Sequence, residues 1–168
     1  VCSSDLNVIR LHMTKMENGM VAKEKIAVLR ERKANAQTEE EIKDIVDYAA
    51  HRFIRVQPEI ETPGHAVAAI ASYPELSCSG QQVSVICSWG VFSPVFCSKE
   101  LTINFLEDVF TEVMSLFPSP MLHMGGDECP ESDWSSCENC KKRMQEEKLT
   151  SFHELHGYII RRLEQCVA

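Results

Sequence analysis

Leu106-Glu107-Asp108-Val109-Phe110-Thr111-Glu112-Val113-Met114-Ser115-Leu116-Phe117-Pro118, followed by Ser119-Pro120-Met121-Leu122-His123-Met124-Gly125-Gly126-Asp127-Glu128, is the stretch on which the reading of the fold turns. Leu106, Val109, Phe110, Val113 and Phe117 recur at helical spacing, which predicts an amphipathic helix from about Thr102 to Phe117, ended by Pro118. Met121 to Met124 is short and apolar and predicts a strand that delivers Asp127 and Glu128 at its C-terminal end.

The same unit precedes it. Thr38 and Glu41 form a capping box, and Ile42, Ile45, Val46 and Ala49 predict a helix over about Glu39–His51. Phe53 to Ile60 then reads as a buried strand closed by the turn at Pro63-Gly64. A short helix over Ala66–Ser72 and a long loop over Ser77–Lys99, with room for one small hairpin, fill the space between the units. A final helix starts at a second capping box, Ser151 with Glu154, and carries the stripe Phe152, Leu155, Ile159 and Leu163. Alternating helices and strands at this spacing predict an α/β fold of parallel strands with right-handed crossovers, a doubly wound sheet or a (β/α)8 barrel.

Composition narrows the function. The chain has 168 residues, 44% hydrophobic and 25% charged, enough to bury a core. Its net charge is -8 and its longest basic cluster is Lys141-Lys142-Arg143, so the electrostatic footprint of a nucleic-acid or anionic-membrane binder is missing. There is no apolar run long enough for a membrane segment. Eight cysteines favour an oxidising compartment only weakly, because they lack the dense spacing of a disulfide scaffold.

The ends read as cut. Val1 to Leu6 resemble the translated end of a sequencing-library adapter, and Asn7–Ala36 carries an amphipathic helix around Val21–Arg32 but no recognisable chemistry. Residues 1–36 are therefore set apart as scar or foreign sequence, and 37–168 as the domain proper. The last helix shows no stop signal before Ala168.

Chemistry collects beyond the C-terminal ends of parallel strands, and both strands end in such groups: Glu59, Glu61 and His65 after the first, His123, Asp127 and Glu128 after the second. Adjacent Asp127 and Glu128 reach one site only through a bend, which Gly125 and Gly126 permit. Two neighbouring carboxylates can divide the work of glycoside cleavage, one protonated and one anionic. The bland reading is an acidic loop that caps a helix or binds a divalent ion.

Pro58-Glu59-Ile60-Glu61-Thr62-Pro63-Gly64-His65 and His123-Met124-Gly125-Gly126-Asp127-Glu128-Cys129-Pro130, with Trp89-Gly90-Val91-Phe92 between them, resemble glycoside hydrolase family 20, the β-N-acetylhexosaminidases. The similarity runs from about Thr38 to Cys166. It implies a (β/α)8 TIM barrel, of which this chain would hold a few middle βα units. It implies retaining, substrate-assisted cleavage of terminal, non-reducing N-acetylhexosamines, with glycans such as chitooligosaccharides and glycoconjugates as partners and no metal or organic cofactor. By the resemblance, Glu128 is the general acid/base, and Asp127 holds the 2-acetamido group whose oxygen attacks the anomeric carbon. His65 bonds the acid/base, while His123 and Glu61 support the turn. Trp89 and Val91 are candidate substrate contacts. A parent protein would be periplasmic, secreted or lysosomal. The early strands of the family, with a substrate-binding Arg and a His-Leu-x-x-Asp-Asp-type segment, have no match in Asn7–Ala36, and the later ones would lie beyond Ala168. This stretch alone is expected to be inactive.

Two rivals remain open. One is a non-catalytic carbohydrate-binding relative, against which the presence of Glu128 speaks. The other is a zinc-stabilised interaction module around Cys137-x-x-Cys140, with Cys129 and His153 or His156 as further candidate ligands. Cys78 and Cys97 bracket the long loop and are candidates for a disulfide that ties it down or for free buried thiols. Trp134 is a candidate for a sugar-stacking face or a packing anchor.

Overall fold

A computed structural model describes residues 8–12, 39–84 and 90–167. The sheet is built from strand β1 (Val8–His12) and strand β2 (Arg55–Glu59), paired in parallel with Val8 opposite Arg55 and His12 opposite Glu59. Helix α1 (Glu39–Ala50) precedes β2 and buries Ile42, Val46 and Ala49. After β2 come α2 (Val67–Ser72) and a single 3-10 turn at Pro74–Leu76. Helix α3 spans Glu100–Leu116, α4 Ser132–Ser136, α5 Glu138–Glu146 and α6 Phe152–Val167.

The long helices follow their periodicity closely. In α3, Ile103, Leu106, Val109, Phe110 and Val113 are all buried, and the chain turns away at Phe117, where Pro118 denies the helix its next donor. Helix α6 presents Leu155, Ile159 and Leu163 to the same core, and Phe110 lies fully buried there. Burying each such side chain contributes about 1.5–3 kcal/mol. Outside the apolar seam the two helices are tied by ions: Arg162 reaches Glu100 at 3.2 Å and Glu107 at 3.5 Å, and Arg143 of α5 also meets Glu100. The start of α6 departs from a full capping box: Ser151 Oγ accepts the Glu154 N–H at 3.2 Å, but the Glu154 carboxylate reaches the Thr150 hydroxyl at 2.9 Å, one residue further back. Thr38, the other predicted cap, and the Val21–Arg32 helix lie outside the described residues.

Three expectations change. The strand expected over Met121–Met124 shrinks to one parallel bridge between His123 and Glu59. Ladder bonds continue on either side of it, His123 N–H to Pro58 O at 3.0 Å, Ile60 N–H to His123 O at 2.9 Å and Thr62 N–H to Met124 O at 3.0 Å. Pro118 and Pro120 before it and the Gly125-Gly126 turn after it leave too few residues for a longer strand. The loop over Ser77–Lys99 holds no hairpin among the described residues, only an antiparallel bridge between Ser77 and Phe96. Finally, Val8–His12, which the sequence reading gave no strand, pairs in register with β2. These five residues belong to the sheet, although they fall in the segment set apart at residue 36. The backbone order is thus β1, β2 and then the Leu122–Met124 segment, all parallel.

Candidate active site

The two motif segments leave neighbouring positions on the sheet and turn against each other. Gly64 packs on the backbone of the second turn so closely that a Cβ there would stand 3.2 Å from Cys129 Cα and 3.3 Å from the Asp127 and Glu128 carbonyl oxygens. Gly125 is tighter still: at φ +70° its missing Cβ would fall 1.9 Å from Glu61 Oε2 and 2.9 Å from Glu61 Cα. Only glycine fits both that dihedral and that space. Gly126 follows at φ +99°, and the pair supplies the bend that brings Asp127 and Glu128 out of the strand direction. Thr62 locks the arrangement from the first motif by donating both its N–H and its hydroxyl, the latter at 2.9 Å, to Met124 O.

The predicted site residues are placed as follows. His65 Nε2 lies 3.3 Å from Glu128 Oε2, with Glu128 more than half exposed. Both residues have left-handed backbone, φ 50° at His65 and 49° at Glu128, a conformation that costs a non-glycine side chain about 1–2 kcal/mol. That cost is met on both partners of one contact. Asp127 is exposed and, among the described residues, forms no ion pair with a cation. Glu61 is buried beneath Gly125. His123 Nδ1 accepts the Gly125 N–H at 3.2 Å, which ties the side chain to the turn from below, and the Glu59 carboxylate lies 3.2 Å from the same nitrogen. Val91 is exposed, and Trp89 lies outside the described residues.

One neighbour was given another part by the sequence reading. His156 of α6 comes up beneath the turn, its Nε2 within 3.7 Å of where a Cβ on Gly126 would stand, and its ring meets Trp134 edge-on at 6.2 Å. Burial holds its pKa below the ordinary imidazole value, with the His153 charge adding to the effect. Its place behind a buried tryptophan depends on α4 and α6 meeting, which no local signal reveals.

The structure decides between the readings of the cysteines. Cys78 and Cys97 are both free thiols rather than a disulfide. Cys137 and Cys140 do converge with other ligand-type groups, but with Cys78 and Cys97, not with Cys129, His153 or His156. Burial pushes the Cys129 thiol up to about 12, so it stays protonated. Trp134 is fully buried with its indole N–H donated to Phe96 O at 2.9 Å, which makes it a packing anchor rather than a sugar-stacking face.

Parallel strands that discharge paired carboxylates onto one glycine-shaped turn define a class, the parallel α/β domains with the site at the strand ends. Within it the family is shown: the model of glycosyl hydrolase family 20, catalytic domain, matches residues 3–168, and the chain belongs to that family. It is 46% identical over 131 residues to a beta-hexosaminidase of Porphyromonas gingivalis, covering 77% of this chain and 17% of the relative. It is also similar to the crystal structure of beta-N-acetylhexosaminidase from Bacteroides fragilis, at TM-score 0.80 and 34% identity over 96% of this chain and 33% of that one. Flavobacterium johnsoniae chitobiase matches at TM-score 0.74 and 35% identity, over 78% of this chain and 20% of that one. The chain thus spans between a sixth and a third of the length of these relatives. The solved relatives imply a TIM-barrel family, of which this chain shows an α-rich part.

Proposed function

We propose that the protein to which this chain belongs hydrolyses terminal β-linked N-acetylhexosamines with retention of configuration, and that this chain, β1 included, supplies middle βα units of its barrel. The observation that carries this reading is the contact of His65 with Glu128 across two interlocked turns, beside an exposed Asp127.

In this reading Glu128 donates its proton to the glycosidic oxygen as the bond to the anomeric carbon breaks. The carbonyl oxygen of the substrate's own 2-acetamido group forms the new bond to that carbon, giving an oxazolinium-type intermediate. Asp127 stays anionic beside the acetamide N–H and stabilises the positive charge that develops, an electrostatic effect of the kind that usually dominates. Glu128, now a carboxylate, takes a proton from the water that opens the intermediate. His65 donates to or accepts from Glu128 as the proton moves, and Glu61 with His123 keeps the turn in shape. Val91 and Trp89 are the positions assigned to sugar contact. No step calls on a metal or an organic cofactor. Chitooligosaccharides and glycoconjugates ending in N-acetylglucosamine or N-acetylgalactosamine are the assigned substrates, and the names of the relatives support the class.

The test belongs on the full-length protein. Release of 4-nitrophenol from 4-nitrophenyl β-N-acetylglucosaminide and its galacto counterpart is measured for wild type, Asp127→Asn and Glu128→Gln. A loss of at least about a hundredfold in both variants is expected. A folded wild type that is silent on both substrates overturns the reading in favour of a carbohydrate-binding relative.

A further inference from the structure

The strongest feature outside the carboxylate turn is a knot of four thiols. Cys78 and Cys97 come from the loop after the 3-10 turn, each one residue past a partner of the Ser77–Phe96 bridge. Cys137 stands at the N-cap of α5, and Cys140 lies in that helix's first turn. All four sulfurs lie within 4.8 Å of one another. Cys78 Sγ is 3.7 Å from Cys140 Sγ, and Cys97 Sγ is 3.7 Å from both Cys137 Sγ and Cys140 Sγ. Cys97, Cys137 and Cys140 are buried, and Cys78 is partly so.

These distances select a chemistry. A disulfide needs sulfurs at about 2.0 Å, far closer than any of these pairs. A zinc ion with four thiolates at about 2.3 Å in a tetrahedron sets its sulfurs about 3.8 Å apart, the spacing seen here. The Cys-x-x-Cys pair at the start of α5 also has the short ligand spacing of closed four-cysteine zinc sites, and the Ser77–Phe96 bridge brings the other two cysteines together. The surroundings fit an anionic cluster. Lys99 Nζ bonds Ser77 O at 3.0 Å, which sets an ammonium beside the Cys78 peptide. A cleft lined by Cys78, Ser79, Ser93, Pro94, Asp133 and Cys137 opens the knot to solvent as an entry path.

We propose that Cys78, Cys97, Cys137 and Cys140 form a structural four-cysteine zinc site that fastens the long loop to the segment following the Asp127–Glu128 turn. The expectation of no metal was drawn from the family's chemistry, and this site takes no part in it. With all four positions filled by protein, the ion has no open coordination for substrate, so its role is to hold the fold. Cys137 follows Glu128 by nine residues and Cys97 precedes α3 by three. Trp134 sits between, donating its indole N–H to Phe96 O, and Asp133 accepts the Val95 N–H at 3.3 Å, so the ion completes a clamp that side chains have already begun.

The full-length protein that contains this chain is expressed in a reducing cytosol, purified and dialysed, and its zinc is quantified by atomic emission. One zinc per chain is expected, lost in Cys97→Ser and Cys137→Ser and kept in Cys129→Ser and Cys166→Ser. Exchange with cobalt(II) is expected to give the intense d–d bands and thiolate charge-transfer bands of a tetrahedral four-sulfur centre. Cys78→His, at the partly exposed corner, should keep one metal with a shifted cobalt spectrum, which gives an answer even where the buried serine variants fail to fold. Metal-free protein with four freely alkylated thiols overturns the proposal, as does non-reducing mass mapping that finds these cysteines paired in disulfides. Equal zinc content in the Cys97→Ser and Cys129→Ser proteins overturns it as well.

Discussion

The carboxylate turn and the thiol knot lie nine residues apart in sequence and are built on opposite plans. At the turn, Asp127 and Glu128 are exposed, the backbone is held at positive φ, and one imidazole contact is the visible side-chain partner of the acid/base candidate. At the knot, three of four sulfurs are buried, the ligands come from two segments, and Trp134, with no exposure at all, donates its indole N–H to Phe96 O beside Cys97. The first is a surface shaped to meet something else, while the second is complete within this stretch. The difference teaches where stability and function reside. The knot and the α3–α6 seam hold the chain together, and the turn spends part of that stability on unfavourable backbone geometry.

Substitutions can break this contrast in order of effect. The largest stability loss is expected for Trp134→Ala, about 3–5 kcal/mol in chemical denaturation, because a fully buried indole leaves a cavity and Phe96 O loses its donor. Trp134→Phe should recover most of the packing and leave only the hydrogen-bond cost, about 1–3 kcal/mol. Gly125→Ala comes next. The left-handed dihedral alone costs about 1–2 kcal/mol, and the new Cβ must displace the Glu61 carboxylate. Under the proposed function, the full-length protein carrying it should lose activity at least about tenfold, since the turn moves with Glu61. A Gly125→Ala protein with unchanged stability and turnover would erase the claim that this turn is sterically fixed.

Smaller effects sharpen the comparison. His65→Gln should change stability by no more than about 1 kcal/mol, because its partner is solvent-screened, yet it should shift the pH profile of turnover in the full-length protein. An unchanged profile would make the His65–Glu128 contact merely structural. His156 gives a pH test with a definite sign. Its folded pKa lies below the unfolded value of about 6.5, so the unfolded state binds more protons, and the contribution is whole above that pH and is lost as pH falls below it. Denaturation midpoints measured from pH 7.5 to 5 should fall less steeply in His156→Phe than in wild type. The smallest effect is expected for Glu100→Gln. Arg162, then Arg143, holds its carboxyl below the usual range, but the group is exposed and screened, so the cost should stay within about 1 kcal/mol and shrink in high salt.

The periodic helices were legible because their stripes are local: α1, α3 and α6 stand within two residues of the spans their apolar spacing predicts. Strand β2 was legible for the same reason, as a short β-branched run between turn signals. Strand β1 was not, because Val8–His12 finds its partner more than forty residues further along and nothing in five residues announces that pairing. The Met121–Met124 strand was read too long, since proline before and glycine after it limit the ladder to a bridge and its flanking bonds.

The sequence by itself determined the helices, the parallel alternation, the family motifs and the glycines that let two carboxylates leave a strand together. These depend on neighbours within a turn or two, where periodicity and allowed dihedrals act directly. Only the tertiary structure decided which residues face each other across loops. Glu61 lies under Gly125, His156 comes up behind Trp134, and four cysteines spread from 78 to 140 converge on one point, whereas the meeting of His65 with Glu128 was already implied by the family resemblance. Side-chain spacing along the chain carries no information about such meetings, because they are set by how β2, α3 and α5 pack and by the path of the loops between them.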